Sequence, residues 1–184
     1  MRPAGVATLR PAAARSGIMN TKVIGLVLLL AAVAAGLIGL FRNSGELAPD
    51  AQVTTITGEK IALRELHGHP VLVAFWATDC RGCIEEIPDL AALHDEFGAR
   101  GLAVIAVAMP YDMPSRVVEM ARAKRLPYKV ALDPAGQATA AFGGVELVPN
   151  SFLIGRDGRI MRHSLGRLRA GELRPEIEHL LGES

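Results

Sequence analysis

Aromatic side chains make up only 4% of the 184 residues, and only 2 residues are cysteine. With so few aromatics, aliphatic side chains must fill most of any core. Two cysteines cannot build a disulfide-rich scaffold, nor can they supply a four-cysteine zinc site. An excess of charge of one sign is also lacking: 20 basic and 19 acidic residues give a formal net charge of +1. A nucleic-acid binder carries a basic footprint, so no nucleic-acid partner is expected. At this length one ordinary domain plus an appendage fits, and a large multidomain enzyme does not.

The charges that are present are unevenly placed. Residues 1–44 hold Arg2, Arg10, Arg15, Lys22 and Arg42 and no acid. Taking those 5 from the 20 leaves 15 basic against 19 acidic residues over 45–184, a net of −4. From Val23 to Phe41 the chain reads VIGLVLLLAAVAAGLIGLF, without one charge. As a helix this run would cover roughly 28 Å, close to the hydrocarbon thickness of a bilayer. The alternative is a secretory signal peptide, with Ala32-Val33-Ala34 as its small-residue cleavage site. The apolar run continues from Leu37 to Phe41, which favours an uncleaved anchor.

Four basic residues precede the run and one follows it, so the N-terminus is expected to stay cytoplasmic. The expected organisation is a basic cytoplasmic N-terminus over 1–22, a transmembrane anchor over 23–41, a linker over 42–50 and one domain over 51–184. In a bacterium this is a single-pass inner-membrane protein with a periplasmic domain, its lipid partner held through 23–41.

Within the domain, Gln52 to Thr57 and Ile61 to Leu63 flank Gly58 and predict a hairpin. Val71 to Trp76 and Leu102 to Met109 are continuously apolar, the pattern of strands buried on both faces. Between them Cys80 to Arg100 predicts a helix, with Ile84, Ile87, Leu90, Ala91 and Phe97 inward. A helix over Pro114 to Arg125, a strand over Tyr128 to Leu132 and a helix over Pro134 to Phe142 follow. Ser151 to Ile154 and Arg159 to His163 flank the turn Asp157-Gly158, and Gly171 to Leu181 reads as a last helix. The order implies an α/β domain: a central mixed sheet with helices on both faces.

Both cysteines fall in Trp76-Ala-Thr-Asp79-Cys80-Arg81-Gly82-Cys83, where strand passes to helix. A thiol there meets unpaired backbone N–H groups and the positive end of the helix dipole, both of which stabilise thiolate. A second thiol one turn on can close a disulfide with the first. Cys80 is then the exposed nucleophile, and Cys83, better buried, resolves the mixed disulfide. Haem attachment would need histidine after Cys83, where Ile84 stands. Structural zinc would need a second ligand pair at matching spacing. An inert structural disulfide is the competing reading, and the βα-turn position favours redox chemistry over it.

The sequence resembles the TlpA-like thioredoxin-fold oxidoreductases, which include membrane-anchored reductants of the ResA and cytochrome c maturation type. The resemblance is carried by Leu63-Arg-Glu-Leu66 with Gly68, by Val71 to Thr78, by Cys80-x-x-Cys83, by Glu86 with Pro88, and by Val148-Pro149-Asn-Ser-Phe-Leu-Ile154. It implies a thioredoxin-like fold and protein disulfide oxidoreductase activity, with reduction the favoured direction. It also implies disulfide-containing protein substrates such as apocytochrome c or a metalloprotein, and a membrane thiol electron donor. No cofactor or metal is expected beyond the Cys80–Cys83 pair itself.

By the same resemblance Glu86 is an active-site acid moving protons near the resolving thiol. Pro149 is a cis-proline facing the cysteines, and Val148 offers backbone groups to a substrate. Trp76, Asp79 and Arg81 complete the expected substrate-binding set. The family usually has tryptophan where Asp79 stands, a charge that disfavours the Cys80 thiolate while Arg81 favours it. Gly82 replaces a frequent proline, and Ala74 takes the place of a buried aspartate of cytosolic thioredoxins. Two alternatives stay open at this point: a non-catalytic binding module on the same fold, and a disulfide oxidant or isomerase.

Overall fold

The computed structural model describes residues 21–41 and 45–182, and within the first stretch the side chains of 23–33. The chain divides into two compact units, Met1–Asn43 and Ser44–Ser184. The first contains helix α1 (Thr21–Phe41), on which Leu26, Leu28 and Leu30 are exposed. Among the described residues no helix is long and apolar enough to cross a membrane. Their side chains cover only part of 23–41, and the transmembrane helix expected there is not supported by the structure.

The second unit is built on seven strands: β1 (Gln52–Thr55), β2 (Lys60–Ala62), β3 (Val71–Trp76), β4 (Ala103–Ala108), β5 (Lys129–Leu132), β6 (Asn150–Ile154) and β7 (Ile160–Leu165). They form one sheet in the order β2-β1-β5-β4-β3-β6-β7. β3, β4 and β5 run parallel, whereas β6, β7, β1 and β2 join antiparallel. This is the expected mixed sheet. Three helices connect strands, α2 (Arg81–Phe97), α3 (Pro114–Lys124) and α4 (Gln137–Ala141), and α5 (Ala170–Gly182) follows β7.

All six residues of β3 are buried, as its continuous apolar run requires. Leu72, Ala74 and Trp76 face one core with Cys83, Leu90, Leu93 and Phe97 of α2, Val117 of α3 and Ile177 of α5. Val71, Val73 and Phe75 face the other, with Phe142 and Phe152. Phe75, Phe142 and Phe152 meet edge to face or tilted, with centroids 4.7–6.1 Å apart. Three of the five phenylalanines thus fill the layer where the helical cover is thin. Full burial of a side chain such as Leu72 or Phe75 contributes about 1.5–3 kcal/mol.

The layers are unequal: α2, α3 and α5 cover one face, while only α4 and adjoining loops cover the other. The helix expected over Pro134 to Phe142 shrinks to Gln137–Ala141 because Gly136 takes a positive φ of 67°. The Asp133 carboxylate then caps the short helix, accepting from the backbone N–H groups of Ala138 and Thr139 at 3.2 and 2.8 Å. The expected helix over Cys80 to Arg100 starts one residue later and ends as a 3₁₀ turn, Gly98–Arg100. Cys80 is its N-cap, outside the helix proper. The N-terminal hairpin does not stand alone, since β1 pairs with β5 at Thr54–Leu132 and Thr55–Ala131.

Candidate active site

β3 ends at Trp76, and the next four residues turn the chain into α2. Two bonds to Asp112, in the loop after β4, hold this turn. The Thr78 N–H donates to one carboxylate oxygen at 2.6 Å and the Thr78 hydroxyl to the other at 2.8 Å. Cys80 follows in extended conformation (φ −84°, ψ 107°), and its Sγ accepts from the Cys83 N–H at 3.2 Å. Cys80 and Cys83 are joined in a disulfide, with Cα atoms 5.3 Å apart. Cys83 is buried and Cys80 half-buried. Only the first sulfur is reachable from outside.

Across from the pair lies the loop before β6, where the Val148–Pro149 bond is cis. The Val148 carbonyl oxygen sits 3.5 Å from Cys80 Sγ. The oxidised sulfur carries no hydrogen, so this contact becomes an S–H···O bond only after reduction. Pro149 presses on the start of α2: a Cβ placed on Gly82 would lie 3.3 Å from Pro149 Cδ. The Pro149 carbonyl accepts from the Gly166 N–H at 2.8 Å.

Glu86, one turn beyond Cys83, is 2% exposed. Its buried position raises the carboxyl from 4.5 to about 7, chiefly by desolvation; the Leu168 N–H opposes the shift, Asp89 adds to it and Arg167 opposes it. The Leu168 N–H donates to Glu86 Oε2 at 3.1 Å. A carboxyl poised there can take or give a proton near neutral pH. Glu85 faces outward and pairs with Arg81 at 2.9 Å and with Arg167 at 3.4 Å.

The structure sets Cys80 against Cys83 and the Val148 carbonyl, and Pro149 against Gly82 between the two cysteines, with Glu86 buried on the same helix. Asp79 and Arg81 are exposed beside the pair. Trp76 differs from its expected place on a substrate surface. It is 5% exposed and lies in the core with Cys83, because it is the last residue of a strand whose six side chains are all buried. It supports the site from below. Sequence reasoning missed Asp112, Tyr128, Arg167 and Leu168. Tyr128 stands close enough to Glu86 that its phenol is pushed up by burial and then by that carboxylate. No local motif marks these four, since each reaches the site only through long-range folding.

A disulfide at a helix N-terminus, facing a cis-proline loop over a buried acid, defines a thioredoxin-fold thiol–disulfide oxidoreductase. Residues 44–163 match the AhpC/TSA family model, and the chain belongs to that family. It is 31% identical over 122 residues to the thiol-disulfide oxidoreductase ResA of Bacillus thuringiensis subsp. konkukian (strain 97-27), covering 66% of this chain and 69% of that protein. To the thioredoxin-like protein YneN of Bacillus subtilis (strain 168) it is 29% identical over 138 residues, 74% of this chain and 79% of that one. A crystal structure of a thiol:disulfide interchange protein of the thioredoxin family from Chlorobium tepidum TLS superposes with a TM-score of 0.67 at 24% identity. That superposition spans 75% of this chain and 97% of the other, and it bears on the fold alone.

Proposed function

We propose that this protein is a membrane-tethered reductant of disulfides in extracytoplasmic proteins. In the reduced state the Cys80 thiolate attacks a substrate disulfide. One substrate sulfur leaves as thiolate and takes a proton, and the other stays bonded to Cys80. Cys83 then gives its proton to Glu86 and attacks Cys80 Sγ, releasing the second substrate thiol and closing the Cys80–Cys83 disulfide. Two electrons pass from the cysteine pair to the substrate. A membrane thiol donor restores the pair.

The observation that carries this reading is the arrangement of the two sulfurs: Cys80 half-buried beside the Val148 carbonyl, Cys83 buried behind it. Only the first can meet a macromolecular disulfide, and only the second can attack it from within. Val148 and Pro149 offer backbone groups to an extended substrate segment, and Asp79 and Arg81 flank it. The ResA relatives support protein substrates, with apocytochrome c or a metalloprotein as the class we favour. The uncharged run over 23–41 supports a single-pass inner-membrane anchor with the domain in the periplasm.

Insulin reduction by the full chain, together with the redox potential of the pair, tests the chemistry. A potential near those of thioredoxins supports the reductant, and one near those of strong oxidants reverses the direction. No insulin reduction at all would leave a binding module. Release from bacterial membranes by detergent but not by alkaline carbonate supports the anchor, and recovery in the soluble fraction overturns it.

A further inference from the structure

The connection between β7 and α5 touches both sides of the redox site. At its start the Gly166 N–H donates to the carbonyl of Pro149 at 2.8 Å. Two residues on, the Leu168 N–H donates to Glu86 at 3.1 Å. Two residues further the Ala170 N–H donates to Asp89 Oδ1 at 3.1 Å. Arg167 lies between the first two bonds, with its guanidinium 3.4 Å from Glu85 and 3.5 Å from Asp89. One five-residue segment therefore ties the cis-proline loop to three successive carboxylates of α2. Gly166 permits it by adopting a φ of 100°, which a side chain would strain.

We propose that Arg167 is a positioning residue for Glu86, and that the Gly166–Ala170 connection couples the charge of Glu86 to the Pro149 loop. This rests on the proton role given to Glu86 above. Among the described residues the charged and titratable groups around Glu86 are Asp89 on its own helix, Arg167 on the connection and Tyr128 before β5, and the Cys83 thiol stands one turn away on α2 once reduced. Arg167 is the one cation of this set. With Glu86 ionised, the Leu168 bond is charge-assisted; on protonation it weakens to a neutral one. The connection then loosens at Leu168, and Gly166, two residues away, passes the change to Pro149.

The test is a carboxyl ¹³C NMR titration of the oxidised full chain in detergent micelles, where neither cysteine titrates. The Glu86 resonance is assigned by its loss in Glu86→Gln. Arg167→Gln is expected to move the Glu86 midpoint up by ~0.5 pH unit, Arg167→Lys to restore most of it, and Asp89→Asn to move it down. The Gly166 amide resonance is expected to titrate with the Glu86 midpoint in each variant. A Glu86 midpoint unchanged in Arg167→Gln overturns the positioning role, whatever Asp89→Asn does. A Gly166 amide that ignores the Glu86 titration overturns the coupling. If both NMR results hold but the pH profile of disulfide reduction stays fixed in Arg167→Gln, the charge coupling among Arg167, Glu86 and Gly166 is real, while the proton role of Glu86 in the reaction fails.

Discussion

The backbone N–H of Cys83 points at the Sγ of Cys80 across 3.2 Å, so the residue proposed to resolve the mixed disulfide already solvates the sulfur it would attack. On reduction the same N–H and the end of α2 stabilise a thiolate at Cys80. Among the described residues no hydrogen bond reaches the Sγ of Cys83, which lies buried one turn in.

This asymmetry sets the phenotype of the two cysteine variants. Cys80→Ser is expected to abolish insulin reduction. Cys83→Ser is expected to retain attack but not release, accumulating mixed disulfides on Cys80 that intact-mass spectrometry detects. Adducts on Cys83 in Cys80→Ser would contradict the roles assigned.

Glu86 carries a pH-dependent cost. Its carboxyl holds a proton more tightly in the folded chain, with a value of about 7, than when solvated, near 4.5. The folded state therefore binds more protons between these values, and stability falls as pH rises from about 4.5 to about 7. At full burial the loss is about 3 kcal/mol. Urea unfolding at pH 5 and pH 8 is expected to show this slope in the wild type and to lose it in Glu86→Gln. Equal slopes in the two proteins would remove Glu86 as its source.

Asp112 is expected to matter although it lies 32 residues from Cys80 in sequence. Asp112→Ala leaves the Thr78 N–H and hydroxyl without their acceptors. The expected loss is about 1–3 kcal/mol in denaturant unfolding, with faster amide exchange at Thr78 to Cys80. Asp112→Asn keeps an acceptor and is expected to recover part of both.

Gly82 sits in the first turn of α2, where alanine would ordinarily gain about 1 kcal/mol in helix propensity. Its added Cβ, however, meets the rigid Pro149 ring at 3.3 and 3.4 Å. Gly82→Ala is expected to forfeit most of that gain and to lower the kcat/KM for a protein disulfide several-fold by displacing the loop that faces Cys80. Unchanged kinetics with a full gain in melting temperature would show that the contact yields freely.

Much of the fold was legible because local pattern and final burial coincide. The apolar runs at Val71–Trp76 and Leu102–Met109 became the central parallel strands, and Asp157-Gly158 turned the last hairpin. The length of α4 was not legible, because Gly136 and the Asp133 cap act only once the turn is formed. The pairing of β1 with β5 was also hidden, since strand contacts across more than 70 residues leave no local periodicity.

The cysteine spacing and the strand-to-helix step by themselves determined that two sulfurs would meet at a helix N-terminus, because one helical turn spans that spacing. Tertiary structure alone decided what surrounds them: Asp112 on Thr78, the Val148 carbonyl on Cys80, and Leu168 with Arg167 on Glu86. Desolvation and hydrogen bonding depend on which distant segments arrive in three dimensions, and these set the charge of Glu86. Trp76 illustrates the limit, for an aromatic beside a reactive motif reads as contact surface until the packing of β3 turns it into core.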